Sequence, residues 1–279
     1  MLYAAMTDLE ITSPTNARLK GLVALRRRRA REASGTTLVE GFEELSLALA
    51  AGVRPRAVYH CADLMSDQAS QLRLVRECRA EGIETVRVGR TAFERTAYRE
   101  GPDGFLAEVP QPGRPVTALD VPPGSLVLLA EGIEKPGNLG AMLRTADAAG
   151  AAAVIAVDPV TDWGNPNVVR GSKGTVFSVP VASGTLAEVL VWLVAQGLRL
   201  VATTPDAAVL HTAADLTGGV AVAVGTEKHG LTRAALQAAD QRIRIPMAGL
   251  ANSLNVSTSA AVVLYEAVRQ RAMDRTDRL

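Results

Sequence analysis

Residues 125–150, "SLVLLAEGIEKPGNLGAMLRTADAAG", indicate a buried strand that leads directly into a helix. The run "SLVLLA" is short and continuously apolar, which is typical of a strand covered on both faces. The glycines that follow suggest a nucleotide-binding loop at first sight. Gly137 and Gly140 lie three positions apart, however, so neither the G-x-G-x-x-G pattern nor the P-loop pattern is present. The stretch instead carries Asn138 near the predicted helix start and Arg144 almost two turns later.

The same alternation continues toward the C-terminus. The stretches "AAVIAVD", "LRLVATT", "VAVAVGTE" and "RIRIPM" are strand-like, helical stretches separate them, and a long helix is predicted from about Leu254 to Met273. Nearly continuous Val, Leu and Ile strands bounded by helices indicate a parallel sheet covered on both faces. We therefore predict one α/β domain over residues 125–279.

A smaller α/β domain is predicted over residues 1–108, because short strands alternate with helical stretches from "TLVEG" to "GFLAEVP". The two domains are separated by residues 109–124, "VPQPGRPVTALDVPPG", which contain five prolines and two glycines. Such a stretch makes a poor interior for a helix or a strand, so it is predicted to be a linker.

Composition excludes several classes of protein. Apolar residues make up 48% and charged residues 21% of the 279 positions, which is a globular profile. No apolar run is long enough to span a bilayer, and the N-terminus has no signal-peptide pattern. Two cysteines and three histidines without ligand spacing predict neither a disulfide framework nor a metal site. We expect a cytoplasmic protein with buried thiols.

The net charge of +1 gives no overall sign of nucleic-acid binding, but the N-terminal region differs. Between Pro14 and Gly35, seven basic residues stand against one acidic residue, Glu32. Four consecutive arginines cannot all face a core, so they predict a solvated basic ridge. A solubilising surface would explain this ridge, but contact with phosphates is the favoured interpretation. The basic residues are Arg18, Lys20, Arg26, Arg27, Arg28, Arg29 and Arg31.

Three polar or glycine-rich stretches follow predicted strands, where open parallel sheets bind their ligands. They are "GNLGAMLRTADAAGA" (137–151), "GTEKHGL" (225–231) and "IPMAGLANSLNVSTSAA" (245–261). Taken singly, Asn138 and Ser253 could be helix caps, and the glycines could be turn residues. Together they predict a pocket in which Gly225 admits a ligand close to the backbone and apolar side chains form the walls. Such a pocket suits an adenosine-containing ligand without a polyphosphate.

The three stretches resemble the ordered motifs of the SpoU/TrmH branch of the SPOUT methyltransferases. The pattern consists of N-x-G-x-x-x-R at 138–144, G-x-E-x-x-G-L at 225–231, and I-P-M followed by S-L-N-V-S within 245–257. The segment "VVRGSKGTVFSVPV" (168–181) resembles the family's intervening segment, with Lys173 where a small residue is usual. The resemblance covers about residues 125–272 and extends to ribosomal-RNA enzymes, including actinomycete antibiotic-resistance methyltransferases. The front domain is similar to the substrate-binding module that many members carry.

The resemblance implies S-adenosylmethionine as methyl donor, an RNA ribose 2′-hydroxyl as acceptor, a homodimer and a C-terminal trefoil knot. It places Asn138, Arg144, Glu227, Ser253 and Asn255 in catalysis, and Thr203, Thr204, Gly225, Glu227, Gly230, Ile245, Met247, Leu254 and Asn255 at the cofactor. Together with the basic ridge, it assigns RNA binding to Arg18, Lys20, Arg26, Arg27, Arg28, Arg29 and Lys173.

The weak partner in such a transfer is the ribose hydroxyl, which is a poor nucleophile until it loses its proton. An arginine stays protonated and is an unpromising base, so Arg144 is expected to hold a phosphate and stabilise negative charge on the 2′-oxygen. Glu227 is expected to orient that guanidinium or the ribose.

Other functions remain open on the sequence alone. A dehydrogenase-like nucleotide enzyme would need the phosphate-binding fingerprint that is missing. An RNA-binding protein with a lapsed active site would not need Asn138, Arg144, Glu227 and Asn255, all of which are present. Transfer RNA is the rival substrate, and the separate front domain favours ribosomal RNA.

Overall fold

The computed structural model describes residues 9–276 and divides the chain into two compact units. The first contains the residues up to Gln111 together with Gly164–Phe177, and the second contains Pro112–Trp163 and the residues from Ser178 onward. The domain boundaries predicted at residues 108 and 125 stay a prediction.

The first unit is built on a five-stranded mixed sheet of order β1-β4-β3-β5-β2. The first three strands in that order are parallel, and β5 runs antiparallel to both β3 and β2. Its elements are β1 (Leu9–Ile11), α1 (Ala17–Ala24), α2 (Arg28–Ser34), β2 (Thr36–Glu40), α3 (Phe42–Ala50), β3 (Ala57–His60), α4 (Gln68–Ala80), β4 (Glu84–Val88), α5 (Arg90–Thr96) and β5 (Phe105–Pro110). The alternation of strands and helices predicted for this region is confirmed.

The second unit is built on an eight-stranded sheet of order β11-β13-β10-β12-β7-β8-β9-β6, and every pairing in it is parallel. Its elements are β6 (Arg114–Pro115), β7 (Leu126–Glu131), α6 (Pro136–Ala148), β8 (Ala153–Val157), β9 (Val181–Gly184), α8 (Leu186–Ala195), β10 (Arg199–Thr203), β11 (Val209–Leu210), β12 (Val220–Val224), α9 (Arg233–Ala238), β13 (Gln241–Arg244) and α10 (Val256–Thr276). The helix α7 (Pro166–Gly171) belongs to the first unit.

The predicted parallel sheet with buried faces is confirmed. Every residue of β7, β8 and β12 is buried, because helices cover both sides of these strands. Their side chains form one core with Trp192 of α8, whose indole nitrogen donates to the Leu119 carbonyl over 2.6 Å. The trefoil knot stays a prediction.

The stretch predicted to be a linker contains regular structure at its centre. Arg114 and Pro115 form the edge strand β6, which pairs with β9, and a single 3₁₀ turn follows at Val116–Ala118. Val116 and Leu119 are buried in the core of the second unit. An edge strand tolerates proline because one side of it forms no ladder hydrogen bonds.

Both cysteines are buried, as predicted. Burial raises the pKa of the Cys78 thiol to about 11, and it raises the pKa of Cys61 as well. Within residues 9–276, no helix has the length and apolar character needed to cross a membrane, and no cluster of His, Cys, Asp and Glu side chains could hold a metal ion.

Candidate active site

A cavity of about 410 Å³ lies at the carboxyl edge of the parallel sheet in the second unit. Its walls come from the segments that follow β10, β12 and β13, which are neighbouring strands. Because parallel strands end at the same edge, three segments far apart in sequence meet there. Two of the three stretches predicted to converge, 225–231 and 245–261, line this cavity; the third, 137–151, contributes no lining residue, and the segment after β10 takes its place.

Eight of the nine residues predicted to bind the cofactor line this cavity, and Asn255 is the exception. Ile245 and Leu254 are half-buried, and Met247 is more exposed, so apolar surface faces the cavity. The Thr203 hydroxyl is buried, and no residue within 9–276 pairs with it. A buried hydroxyl without a partner is costly unless a ligand satisfies it, so this mixture of surfaces fits an adenosine-containing cofactor. The eight lining residues are Thr203, Thr204, Gly225, Glu227, Gly230, Ile245, Met247 and Leu254.

The expected role of Gly225 needs correction. A Cβ atom on Gly225 would lie 2.1 Å from the carbonyl carbon of Gly230 and 2.2 Å from the Leu231 nitrogen. The loop closes on itself here, because Thr226 and Gly230 exchange backbone hydrogen bonds of 3.0 and 2.9 Å. Gly225 is therefore required by the close approach of its own chain. Gly230, with φ of +67°, adopts the left-handed conformation that favours glycine.

Three side chains from segments far apart in sequence form a hydrogen-bonded cluster beside the cavity. The Asn138 amide nitrogen donates to Glu227 Oε1 over 3.1 Å, and the Asn255 amide nitrogen donates to the same oxygen over 2.7 Å. The Asn255 amide also donates to Asn138 Oδ1 over 3.2 Å. The structure thus joins three of the five predicted catalytic residues around one carboxylate oxygen.

Neither of the suspected helix caps is a cap. The helix α6 begins at Pro136 with Lys135 as its N-cap, so Asn138 lies inside the first turn and its side chain is directed to Glu227. At α10, Asn255 accepts the Ser257 backbone N–H over 3.0 Å and therefore occupies the capping role considered for Ser253. Ser253 is exposed and lines the cavity.

Lys135 is a site residue that the sequence analysis missed. Its ammonium group forms an ion pair with Glu227 Oε2. Hydrogen bonds from Lys135 and then from Asn138 lower the pKa of the Glu227 carboxyl below its ordinary value, so it is a carboxylate at neutral pH. The sequence contained a signal for this role, because a lysine at a helix N-terminus is unfavourable with the helix dipole and indicates an acidic partner.

Arg144 does not join the cluster. It lies on an exposed face of α6, it does not line the cavity, and no residue within 9–276 forms a hydrogen bond or ion pair with it. Within one chain, Glu227 holds Lys135, Asn138 and Asn255 and does not contact Arg144, so its expected role in orienting that guanidinium or the ribose stays a prediction.

The predicted basic ridge is broken in the structure. The helices α1 and α2 are separate, and Arg31 is 1% exposed, with its guanidinium donating to the Leu25 and Arg26 carbonyls over 2.8 and 3.0 Å. Arg26 is half-buried and donates to the Thr96 carbonyl over 2.7 Å. Arg31 thus satisfies carbonyls at the turn after α1, and Arg26 satisfies the carbonyl of the last residue of α5, uses that the sequence pattern did not reveal. The exposed basic residues that remain are Arg18, Lys20, Arg27, Arg28 and Arg29.

Three of the residues predicted to bind RNA have acidic partners within the first unit, and one of them is Arg28, which pairs with Glu32 over 2.7 Å. Arg18 pairs with Glu84 over 2.7 Å. Lys173 lies 3.6 Å from Glu43 and 3.9 Å from Glu44, and its backbone φ is +55°. These carboxylates offset the positive charge that was expected to attract phosphates.

Comparison with known families agrees with this geometry. Residues 125–265 match the model of the SpoU rRNA methylase family, and residues 16–107 match the MRM3-like substrate binding domain. The chain belongs to the SpoU rRNA methylase family. Membership confirms the predicted enzyme class, an RNA 2′-O-ribose methyltransferase that uses S-adenosylmethionine.

Relatives within the SpoU family share most of the chain. The 23S rRNA (guanosine-2′-O-)-methyltransferase RlmB of Vibrio vulnificus is 34% identical, over 71% of this chain and 83% of its own. The 23S rRNA (uridine(2479)-2′-O)-methyltransferase of Streptomyces viridochromogenes is 32% identical, over 94% of this chain and 92% of the relative. The AdoMet-bound rRNA methyltransferase of Sinorhizobium meliloti superposes with a TM-score of 0.85 at 29% identity, covering 93% of this chain and 97% of that one.

Proposed function

We propose that this SpoU family member methylates a ribose 2′-hydroxyl of large-subunit ribosomal RNA in the cytoplasm. One observation carries the proposal: the cluster of Asn138, Glu227 and Asn255 lies beside a cavity fit for adenosine at the edge of a parallel sheet. The two curated relatives reported above are named for 23S rRNA, one for a guanosine and one for a uridine. Ribosomal RNA is therefore favoured over transfer RNA, and the target base is left open.

The cavity would hold S-adenosylmethionine, which supplies an activated methyl group when bound. The unpaired Thr203 hydroxyl and the Asp206 carboxylate offer hydrogen-bonding groups to a nucleoside. Ile245, Met247 and Leu254 offer apolar walls for its base. No metal is required, because a sulfonium leaving group is already activated.

The amide–carboxylate cluster would position the acceptor ribose. Glu227 accepts from two amides and pairs with Lys135, so its geometry is set before RNA arrives. Asn138 and Asn255 would thereby present fixed polar atoms to the ribose, and Ser253 would contact the cofactor side of the site. Holding the 2′-oxygen in line with the methyl group supplies much of the acceleration.

Arg144 would stabilise the developing negative charge on the 2′-oxygen from a second copy of the chain. Its guanidinium is exposed and lacks a partner within the described part of its own chain, while Lys135 of the cluster is already paired with Glu227. A symmetric homodimer would then contain two composite sites.

The RNA-binding surface would use exposed cations and one aromatic side chain of the first unit. Arg27 and Arg29 are exposed and would contact phosphates. Tyr98 is 44% exposed, and the guanidinium carbons of Arg26 and Arg170 lie 5.1 and 5.7 Å from its ring centroid. Aromatic rings flanked by guanidinium groups are typical stacking platforms for unpaired bases. The sequence analysis missed Tyr98 and Arg170.

The test maps 2′-O-methyl groups in total RNA from cells with and without the gene. We expect one ribose in large-subunit rRNA to lose its methyl group when the gene is absent, and purified protein to restore it with S-adenosylmethionine. If a ribose in transfer RNA loses its methyl group instead, the substrate is transfer RNA and the proposal of ribosomal RNA is wrong. Cofactor binding without any methyl transfer would identify an RNA-binding protein with a lapsed active site.

A further inference from the structure

The first unit contains a second cavity, of about 370 Å³, next to α1 and the strands β3 to β5. Its size falls within the range of about 300–1,000 Å³ that is common for small-ligand sites. None of its lining residues was assigned to a pocket by the sequence analysis, although Arg18 was predicted to bind RNA. The cavity therefore has the dimensions of a ligand site without an assigned ligand.

A buried phenol lies in the wall of this cavity. Tyr59 is 4% exposed, and no residue within 9–276 forms a hydrogen bond with its hydroxyl. Burial raises the pKa of Tyr59, so the group is a neutral hydroxyl that can donate or accept. Although the Tyr59 side chain is buried as a whole, its hydroxyl oxygen reaches the cavity and is therefore open to a hydrogen bond with a ligand.

Two ion pairs line the same cavity. Arg18 pairs with Glu84 over 2.7 Å, and Arg56 pairs with Glu108 over 3.5 Å. Two guanidinium groups and two carboxylates cancel in charge, which disfavours both a phosphate and a cation as the ligand. These groups instead offer donors and acceptors side by side, and they suit a neutral ligand that carries both.

We propose that this cavity binds an unstacked nucleobase of the RNA substrate, with guanine preferred. The inference rests on the proposed function, because it requires an RNA substrate. Leu22 and Leu25 give the cavity apolar surface for a flat ring. Guanine presents adjacent N–H donors that match one carboxylate and a carbonyl oxygen that matches a guanidinium or the Tyr59 hydroxyl. Proteins commonly recognise RNA through such splayed bases, read on their Watson–Crick edges.

The test compares three variants of the full chain on a transcript of 23S rRNA. Tyr59→Phe removes only the hydroxyl, and Arg18→Gln with Glu84→Gln removes one ion pair of the cavity. The matched control is Arg73→Gln with Glu77→Gln, which removes an exposed ion pair on α4 that does not line the cavity. Equilibrium binding is measured by filter retention, and kethoxal probing reports which guanine Watson–Crick edges the protein protects.

We expect Tyr59→Phe to weaken RNA binding by about 2- to 10-fold, the effect of one lost hydrogen bond. Kethoxal protection of one guanine should disappear in both cavity variants and persist in the control. The thermal unfolding midpoint of Tyr59→Phe should stay at that of wild type, because the hydroxyl has no partner in the described chain.

Wild-type RNA affinity and unchanged guanine protection in both cavity variants would overturn the proposal. If Tyr59→Phe fails to fold, the variant with Arg18→Gln and Glu84→Gln still tests the proposal. Both side chains are about half exposed, so replacing them should leave the fold intact. Methyl mapping on the same transcript separates this outcome from failure of the proposed function, in which wild-type protein would leave every ribose unmethylated.

Discussion

Asn255 combines two tasks that are usually given to different residues. Its Oδ1 atom accepts the Ser257 backbone N–H and the Ser257 hydroxyl, over 3.0 and 2.6 Å, at the start of α10. Its Nδ2 atom donates to Glu227 and Asn138. The amide is suited to this position because it carries an acceptor for the helix and a donor for the carboxylate.

The first prediction separates these two tasks. Asn255→Asp keeps the acceptor for the helix but replaces the donor with a second carboxylate facing Glu227. We expect the unfolding midpoint to change little, since aspartate caps helices as well as asparagine does. Methyl transfer should fall by about 10- to 100-fold, because a hydrogen bond to a charged group is replaced by repulsion. Methyl-transfer assays measure the activity, and thermal unfolding measures the midpoint. Equal losses of stability in Asn255→Asp and Asn255→Ala would contradict the separation of the two tasks.

The second prediction concerns Arg144, which lies outside the cavity. Arg144→Ala should abolish methyl transfer while leaving the affinity for S-adenosylmethionine nearly unchanged, because the cation acts only on the acceptor. Calorimetry measures the affinity, and transfer of a tritiated methyl group measures the activity. Arg144→Lys is the control that keeps the charge without the forked geometry. Wild-type turnover in Arg144→Ala would refute this role.

At the scale of elements, a buried carboxylate anchors the loop between β12 and α9. Glu131, at the end of β7, is 4% exposed and accepts the Thr232 backbone N–H and hydroxyl over 2.8 and 2.7 Å. The Thr232 hydroxyl in turn accepts the Ala235 N–H and caps α9. One residue thus joins the loop at 225–231 to both a strand and a helix.

The third prediction tests this anchor with a matched pair of caps. Thr232→Val and Thr185→Val each remove a helix N-cap of the second unit. Thr185→Val should cost about 1 kcal/mol of unfolding free energy, and Thr232→Val should cost more, because it also removes a donor from the buried Glu131 carboxylate. Only Thr232 also holds Glu131, so only Thr232→Val should weaken S-adenosylmethionine binding, by about 3-fold or more. Denaturant unfolding and calorimetry give the two quantities. Equal cofactor affinity in the two variants would mean that the anchor does not shape the cavity.

At the scale of the whole molecule, the proposed active site needs two chains. The Asn138–Glu227–Asn255 cluster and the cavity come from one chain, and Arg144 would come from the other. Gly225→Val is unsuitable for blocking the cavity, because an added Cβ would collide with the backbone at Gly230 and Leu231. Leu254→Arg is preferable, since Leu254 is half-buried in the cavity wall and an arginine there adds bulk and charge.

The fourth prediction mixes Arg144→Ala chains with Leu254→Arg chains. Each parent dimer should be inactive. In a mixed dimer, one site joins an intact cavity to an intact Arg144, and the other site has both defects. Random assortment makes half of the dimers mixed, so about a quarter of wild-type activity should return. Differently tagged chains verify exchange after co-expression, and mixed dimers isolated through both tags should have about half of wild-type activity. Background activity in confirmed mixed dimers would exclude a shared site.

The sequence by itself determined the architecture of each unit and much of the candidate site. Apolar runs bounded by helical stretches depend on neighbours along the chain, so they predicted the parallel sheet and the order of its loops. Because parallel strands end at one edge, Asn138, Glu227 and Asn255 could be expected to meet. They do meet, although Asn138 is 89 positions from Glu227 and 117 positions from Asn255 in the sequence.

Only the tertiary structure decided which atoms those residues bond. The ion pair between Lys135 and Glu227 joins segments distant in sequence, and the surroundings of the Tyr59 hydroxyl depend on several strands and a helix. The burial of Arg31 and the close approach at Gly225 depend on how a few neighbouring residues turn back on themselves. A run of arginines does not reveal which of them satisfies carbonyls at the end of a helix. The physical reason is that periodicity reports which face of an element is buried, whereas hydrogen bonds and charge pairs depend on distances of a few ångströms that packing alone sets.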